Sequence, residues 1–345
     1  MNRRQFLRSL AGAIAAASLG AAAFYTFFTR GASKELGSGL KSASPGPAGT
    51  PAPVPAGPGK LLASFWLLSD LHVTPYDSGT SDKLKKALAD LVKPEHPGDA
   101  LILGGDLTEY GSDNDYKRLK DVLSGFKLPP LYANMGNHDY YDIWIDGKGS
   151  FATETKPNGK TDAQSRQRFQ AFMKTERPYG KFEAGKIPVF LLSQEAYVQE
   201  KPEVGEGAWY SDTQLDWLKA ELAKLEKHLP VLVMIHQPLP QEGSDGGTHR
   251  VIRANELRAI LAPYPNVFVF SGHTHRDFTA NHYTRHATFH WFSNSTVGRS
   301  RSKVLSQGMY IQVYEHEVRV RGREFSNASW IGAADWTVPL KKTAD

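Results

Sequence analysis

Cysteine is absent from this sequence of 345 residues. Its absence excludes disulfide bonds, cysteine nucleophiles and every metal site built on thiolate ligands. A metal ion in this protein would therefore be held by oxygen atoms and imidazole nitrogens. Such ligands suit Mn²⁺, Fe or Zn²⁺.

A strong charge of one sign is also lacking. The formal net charge is +5 at pH 7, and four of these charges come from Arg3, Arg4, Arg8 and Arg30. The chain beyond residue 30 therefore has a net charge of +1, with no basic excess that would attract a polyanion. We infer no nucleic-acid binding.

The N-terminal residues 1–30 indicate targeting rather than a folded element. Residues 2–8, with the sequence NRRQFLR, resemble a twin-arginine export signal, and the apolar run 10–28 suits either a cleaved signal or an uncleaved anchor. Residues 31–60 are rich in Pro, Gly and Ala, a composition typical of an extended linker. We expect the twin-arginine export machinery to carry the protein to the periplasm, the cell wall or the medium. Membrane or wall attachment through the N-terminus is the alternative to cleavage.

From residue 61 onward, strand-like and helix-like patterns alternate, as in βαβ units. Helices are expected at 81–93, 113–126, 162–175 and 255–261, and after a cap at Ser211 or Asp212. Period-two alternation at 309–314 and 318–320 predicts antiparallel strands of a second sheet. We expect residues 61–345 to form one α/β domain, a four-layer α/β/β/α sandwich of two mixed sheets.

Five apolar, strand-like segments end in residues able to bind a metal or move a proton. These residues are Asp70 and His72, Asp106, Asn137 with His138 and Asp139, His236, and His273 with His275. In open α/β sheets, ligand sites lie at the carboxyl ends of the strands, so these side chains should converge. A glycine precedes the Asp, Asn or His in three segments and lets the backbone turn sharply.

Together the five segments resemble the calcineurin-like metallophosphoesterase family, whose pattern is D-x-H, G-D, G-N-H-D/E, H and G-H-x-H in that order. All five parts are present between residues 61 and 320. The resemblance implies two adjacent metal ions, of Mn, Fe or Zn type, bridged by Asp106. The other ligands would be Asp70, His72 and His275 for the first ion, and Asn137, His236 and His273 for the second.

The same resemblance implies hydrolysis of a phosphate ester by in-line attack of a metal-bridging hydroxide. His138 follows the expected ligand Asn137, and we expect it to act as general acid for the leaving group. Asp139 is expected to orient the His138 ring through its second nitrogen.

Glu109 argues against one branch of this family. Purple acid phosphatases have a tyrosine three residues after the bridging Asp, where this chain has Glu109, and they lack the first-motif His, here His72. The motifs look more like bacterial phosphodiesterases of cyclic nucleotides or glycerophosphodiesters, and like exported phosphatases. Preference for a diester or a monoester stays open, because substrate choice depends on the loops at 140–185 and 237–250. The alternative from another class is a surface-tethered, metal-containing binding protein with little turnover.

Overall fold

The structure, a computed structural model, describes residues 57–146, 150–152, 158–302 and 304–342. The predicted signal at 1–30 and most of the predicted linker at 31–60 lie outside these ranges. Within the described ranges, no helix combines the length and the apolar composition that a membrane crossing requires.

Strands and helices alternate along the described chain. The strands are β1 (Leu61–Leu68), β2 (Ala100–Gly104), β3 (Leu131–Asn134), β4 (Gly180–Ala184), β5 (Ile187–Leu191), β6 (Val231–Met234), β7 (Val267–Ser271), β8 (Tyr283–Arg285), β9 (His290–Ser293), β10 (Gln307–Tyr314), β11 (Glu317–Glu324) and β12 (Ser329–Pro339). The α-helices are α1 (Ser78–Leu91), α2 (Asp113–Ser124), α3 (Asp162–Met173), α4 (Asp212–Leu222) and α5 (Ala254–Leu261).

The strands form two mixed six-stranded sheets, as predicted. The first has the order β12-β11-β10-β1-β2-β3, and its strands β1, β2 and β3 are parallel. The second has the order β4-β5-β6-β7-β9-β8, and its strands β5, β6, β7 and β9 are parallel. Each sheet therefore contains adjacent parallel strands whose carboxyl ends can carry a site.

Three hydrophobic clusters separate the layers. In β1, Phe65 belongs to a cluster shared by the two sheets, whereas its neighbour Trp66 belongs to a cluster shared with helices α1 to α3. A third cluster joins the second sheet to α4 and α5, as Val233 packs with Leu218 and Leu257. Side chains of a strand point alternately to its two faces, so each sheet has two buried faces. The predicted α/β/β/α sandwich is confirmed.

Helix boundaries follow the capping side chains. Ser112 and Thr161 form capping boxes at the start of α2 and α3, close to the predicted positions. Helix α1 begins at Ser78, earlier than the predicted residue 81, because the Asp77 side chain accepts a hydrogen bond from the Gly79 amide at 2.9 Å. Here the true cap lies outside the apolar pattern on which the prediction rested.

The assignment of the C-terminal strands to the second sheet was wrong. Strands β10 and β11 are antiparallel, but β10 pairs with β1 and so extends the first sheet. The second sheet is built from β4 to β9 instead. Period-two alternation shows which face of a strand is buried, but it does not specify the edge with which the strand pairs.

Candidate metal centre

All seven predicted metal ligands lie just after the carboxyl ends of parallel strands. Asp70 and His72 follow β1, Asp106 follows β2, Asn137 follows β3, His236 follows β6, and His273 and His275 follow β7. The two sheets are tied together here, because His236 Nδ1 lies 2.8 Å from the carbonyl oxygen of Gly104 at the end of β2. Ligands from both sheets are thus brought to one place.

One cluster contains Asp70, His72, Asp106 and His275, whose candidate ligand atoms all lie within 4.8 Å of one another. His275 Nε2 is 3.2 Å from Asp70 Oδ1 and 2.9 Å from His72 Nε2. His72 Nε2 is in turn 3.8 Å from Asp106 Oδ2. This set equals the first predicted ligand set with Asp106 included.

A second cluster contains Asp106, His236 and His273 within the same limit. His236 Nε2 lies 3.1 Å from Asp106 Oδ2. The amide oxygen of Asn137 lies 2.9 Å from His273 Nδ1, which adds the fourth predicted ligand. Asp106 is the residue common to both clusters, as a bridging carboxylate would be.

The backbone at these ligands is unusual. Asp70, His72, Asp106, His273 and His275 all have a positive φ, between 48° and 70°. Residues other than glycine rarely adopt this left-handed conformation, and such outliers are concentrated at functional sites. Each turn directs a side chain inward immediately after the strand ends.

Two glycines permit the close approach of these turns. Gly105 has a φ of +84°, and a Cβ atom there would lie 2.4 Å from His236 Nδ1. A Cβ at Gly136 would lie 2.3 Å from Asp106 Oδ1. Any larger residue would displace the shared carboxylate or its histidine partner.

The residues present fit a divalent metal ion. Among the described residues, Asp106 Oδ2 and His236 Nε2 are buried 3.1 Å apart, and neither atom has a hydrogen-bond partner of acceptable geometry. Buried polar atoms of this kind destabilise a fold unless something satisfies them, and a cation would satisfy both. Carboxylate, imidazole and amide donors match the preferences of Mn²⁺, Fe and Zn²⁺.

The electrostatics agree with this interpretation. Burial lowers the pKa of His72 well below its usual range and lowers the pKa of His273 to about 3. Both rings are therefore neutral, the form of imidazole that binds metal. At His236 burial also acts to lower the pKa, but the Asp106 carboxylate outweighs it and raises the pKa to about 9. A metal bound at Asp106 would release this proton.

His138 stands beside the first cluster without belonging to its ligand set. Its ring centroid is 4.4 Å from that of His72, and its backbone amide donates to Asp106 Oδ1 at 2.9 Å. Its Nδ1 lies 3.0 Å from the carbonyl oxygen of Glu109. This contact fixes the ring and leaves Nε2 for a substrate.

Asp139 has a different partner from the one expected. Its carboxylate accepts hydrogen bonds from the backbone amides of Leu107, Thr108 and Gly136, at 3.0 to 3.3 Å. The expectation that Asp139 orients the His138 ring is therefore corrected, since the Glu109 carbonyl does so. Asp139 holds the loops after β2 and β3 together, and burial raises its pKa to about 7.

The Glu109 side chain is a site residue that the sequence analysis did not identify. Its Oε2 lies 3.1 Å from His72 Nδ1, and its Oε1 lies 2.8 Å from Arg299 Nη2. A carboxylate behind a metal-binding histidine fixes the ring orientation and tautomer. Burial raises the pKa of Glu109 to about 8, although Arg299 opposes this shift. In the sequence analysis Glu109 stood out only because purple acid phosphatases have a tyrosine at this position.

Glu206 is the second residue that was missed. Its Oε2 accepts from Asn137 Nδ2 at 2.7 Å and from the Tyr141 hydroxyl at 2.7 Å, and its Oε1 accepts from the Tyr197 hydroxyl at 2.6 Å. An ionised carboxylate can only accept, so the NH₂ group of Asn137 must face Glu206. The amide oxygen then faces the metal centre. Glu206 lies 69 residues from Asn137 in a loop without a motif, which is why it carried no signal.

Replacing Glu206 by glutamine tests this orientation. A glutamine can donate as well as accept, so the amide of Asn137 is no longer forced to point its oxygen inward. We expect the affinity of the Asn137 side of the centre for Mn²⁺ to fall about 10- to 100-fold, as for other partners of metal ligands. Calorimetric titration of the full chain with Mn²⁺ measures this change.

The matched control is Glu203→Gln, which neutralises an exposed carboxylate in the same loop. It should bind Mn²⁺ like the unmodified protein. Equal affinities for E206Q and the unmodified protein, or an equal loss in E203Q, would contradict the assigned role.

Curated relatives resemble part of this chain. A 3',5'-cyclic adenosine monophosphate phosphodiesterase of Haemophilus influenzae is 24% identical over 199 residues, which cover 57% of this chain and 62% of that protein. A probable cyclic nucleotide phosphodiesterase of Rhodococcus erythropolis is 25% identical over 265 residues, covering 71% of this chain and 72% of that protein. The chain thus spans about three fifths of the length of the first of these relatives.

A solved structure shares the fold, and a family model covers the site. The purple acid phosphatase of yellow lupin seeds has a TM-score of 0.54 and 12% identity, over 81% of this chain and 54% of that chain. At this identity the likeness shows the fold alone. The model of the calcineurin-like phosphoesterase family matches residues 63–277, more than half of the chain and all seven candidate ligands. The chain therefore belongs to the calcineurin-like phosphoesterase family.

Proposed function

We propose that this protein is a dinuclear-metal phosphodiesterase that hydrolyses its substrate outside the cytoplasm. The observation that carries the catalytic part is the shared position of Asp106 in two clusters of metal-binding side chains. Family membership supports metal-dependent hydrolysis of a phosphoric ester. The names of the relatives from Haemophilus influenzae and Rhodococcus erythropolis favour a diester over a monoester.

The ligand clusters suit the chemistry of a phosphate ester. Such an ester is anionic and repels a nucleophile, and water is a poor nucleophile at neutral pH. Two bound metal ions would supply positive charge for the phosphoryl oxygens and lower the pKa of the attacking water. The residues around Asp106 would hold the substrate so that the leaving group lies on the side of His138.

His138 is placed to protonate the leaving group. A carbonyl oxygen can only accept, so the Nδ1 that faces the Glu109 carbonyl carries a hydrogen, and the transferable proton is the one on Nε2. Burial lowers the pKa of His138, and the opposing effects of the Asp106 carboxylate, the Glu109 carbonyl and the Glu206 carboxylate do not reverse this shift. The ring would therefore act as an acid after it takes up a proton on Nε2. The proton on Nε2 would pass to the departing alkoxide oxygen.

Export is the second part of the proposal. It is supported by the NRRQFLR motif at 2–8, the uncharged apolar run at 10–28 and the Pro- and Gly-rich stretch at 31–60. The twin-arginine route carries folded proteins, which suits a protein that acquires its metals before it leaves the cytoplasm. We also propose that an uncleaved N-terminus would tether the catalytic domain to the membrane or wall.

The activity is tested with the full chain loaded with Mn²⁺. We expect hydrolysis of bis(p-nitrophenyl) phosphate to exceed that of p-nitrophenyl phosphate, and chelation of the metal to abolish both. Release of p-nitrophenolate measures the rates. A preference for the monoester would make the protein a phosphatase. Turnover of neither ester, with metal shown to be bound, would instead favour the metal-containing binding protein.

The role of His138 is tested by His138→Ala. Loss of a general acid should lower kcat about 10²- to 10⁴-fold for a methyl ester, whose alkoxide leaving group needs a proton. The loss should be much smaller for a p-nitrophenyl ester, because p-nitrophenolate is stable as an anion. The metal content should stay unchanged, as measured by elemental analysis.

The control for this variant is His228→Ala, which removes an exposed histidine outside the centre. It should keep both rates. Equal losses for the two kinds of leaving group in H138A would rule out proton donation and leave only a positioning role.

Export is tested by replacing both Arg3 and Arg4 with lysine. Because the twin-arginine route requires the arginine pair, we expect this double variant to stay in the cytoplasmic fraction. Arg30→Lys, outside the motif, should be exported like the unmodified chain. Cell fractionation with immunodetection distinguishes these cases. Export of the double variant would refute the twin-arginine route, and retention of the unmodified chain would refute export itself.

A further inference from the structure

A large cavity adjoins the second ligand cluster. Its volume is about 750 Å³, and its walls include His249, Arg250, His273, Arg276, Trp291 and Arg301. His273 belongs both to this wall and to the Asp106–His236–His273 cluster. The cavity therefore adjoins the metal centre on the side of His273. His138 lies on the other side, next to His72 of the first cluster.

The wall of this cavity is cationic. Arg250, Arg276 and Arg301 line it, and Asp277 is the one acidic residue among the described lining residues. Arginines elsewhere in the described chain usually have partners: Arg166 pairs with Glu200, and Arg323 with Asp90. The guanidinium groups of Arg250, Arg276 and Arg301 have no hydrogen bond or ion pair within the ranges that the structure describes.

These three arginines are attached to anchored backbone. The Arg250 carbonyl accepts a hydrogen bond from the Ala208 amide at 2.9 Å. The Arg301 amide donates to the carbonyl of His275 at 3.3 Å, and Arg276 directly follows that ligand. The side chains thus start from fixed points beside the ligand loops. A guanidinium group binds carboxylate and phosphate oxygens through paired N–H donors. The ligand that suits this cavity is therefore a carboxylate or a phosphate group.

His249 connects the cavity wall with the second ligand cluster. Its Nδ1 lies 3.0 Å from His273 Nε2, and its backbone has a φ of 65°. It is thus held against a candidate ligand by a left-handed turn, as the ligands themselves are. His249 therefore lines the cavity and contacts the candidate ligand His273 at the same time.

We propose that this cavity is a second anion subsite, and that the natural phosphodiester carries a further anionic group on the part that stays esterified during the reaction. The proposal rests on the proposed function, because it needs the first phosphoryl group at the metal centre. A leaving group that departs toward His138 leaves the retained group on the side of His273. An ester with a single phosphoryl group would not use the three unpaired arginines.

The test compares two esters that differ by one phosphate. Thymidine 5'-(p-nitrophenyl phosphate) has only the scissile diester, and its 3'-phosphorylated form has a second anionic group on the retained nucleoside. With the Mn²⁺-loaded full chain, we expect kcat/KM to be at least about 10-fold higher for the 3'-phosphorylated ester, the scale of a charged hydrogen bond. In the Arg250→Gln, Arg276→Gln, Arg301→Gln triple variant this ratio should fall to near one.

The matched control is Arg285→Gln. Arg285 is exposed and, within the described ranges, also lacks a side-chain hydrogen bond or ion pair, but it does not line this cavity. R285Q should keep both the basal rate and the ratio. A ratio near one in the unmodified protein, or an equal fall in R285Q, would overturn the second subsite.

A binding measurement separates this proposal from the proposed function. The same Mn²⁺-loaded proteins are titrated calorimetrically with thymidine 3',5'-bisphosphate and with thymidine 5'-monophosphate. Binding of the bisphosphate at least about 10-fold tighter, lost in the triple variant, supports the subsite even if no ester is hydrolysed. Absence of turnover contradicts only the phosphodiesterase activity. Equal affinities for the two nucleotides in the unmodified protein would contradict the subsite.

Discussion

A carboxylate removed from water has to be met by hydrogen-bond donors or by positive charge, and Asp106 is 1% exposed. Its Oδ1 accepts from the His138 amide, while its Oδ2 faces His236 Nε2 at 3.1 Å and His72 Nε2 at 3.8 Å. Those two histidines follow strands of different sheets. The fold therefore has to join both sheets around one oxygen atom, and the contact of His236 with the Gly104 carbonyl helps to do so. A metal ion bound here would supply the positive charge that the two imidazoles provide only in part.

This arrangement is held in place against local backbone preference. A left-handed turn destabilises a residue other than glycine by about 1 to 3 kcal/mol, and five of the candidate ligands adopt one. Gly136 shows how little space is left, since an added Cβ would meet Asp106 and His236 together. The rigid parallel strands behind each turn supply the compensating stability through their buried faces. The packing of the strands thus offsets the backbone strain at the candidate ligands.

The site residues that belong to a sequence motif could be predicted from the sequence. Those that act only through a tertiary contact could not. Strand-end position made Asp70, Asp106 and His236 visible, and the alternation of elements predicted the sandwich correctly. The edge that β10 would join could not be read, because pairing depends on tertiary geometry. Glu206 could not be identified from the sequence for a similar reason. It contacts Asn137 from a distant loop, and its role is to orient the Asn137 amide group.

The two sides of the centre differ in what they can recognise. On the side of His72, the Glu109 carbonyl oxygen orients the His138 ring, whose Nε2 would donate a proton to any ester with a basic leaving group. On the side of His273, three arginines line one cavity without an ion pair among the described residues, and they would add to the repulsion near a centre that would itself hold cations. An anion bound there lowers that repulsion. The reaction at the centre and the choice of substrate therefore depend on different residues. A family pattern that contains only the metal ligands predicts the reaction but not the substrate.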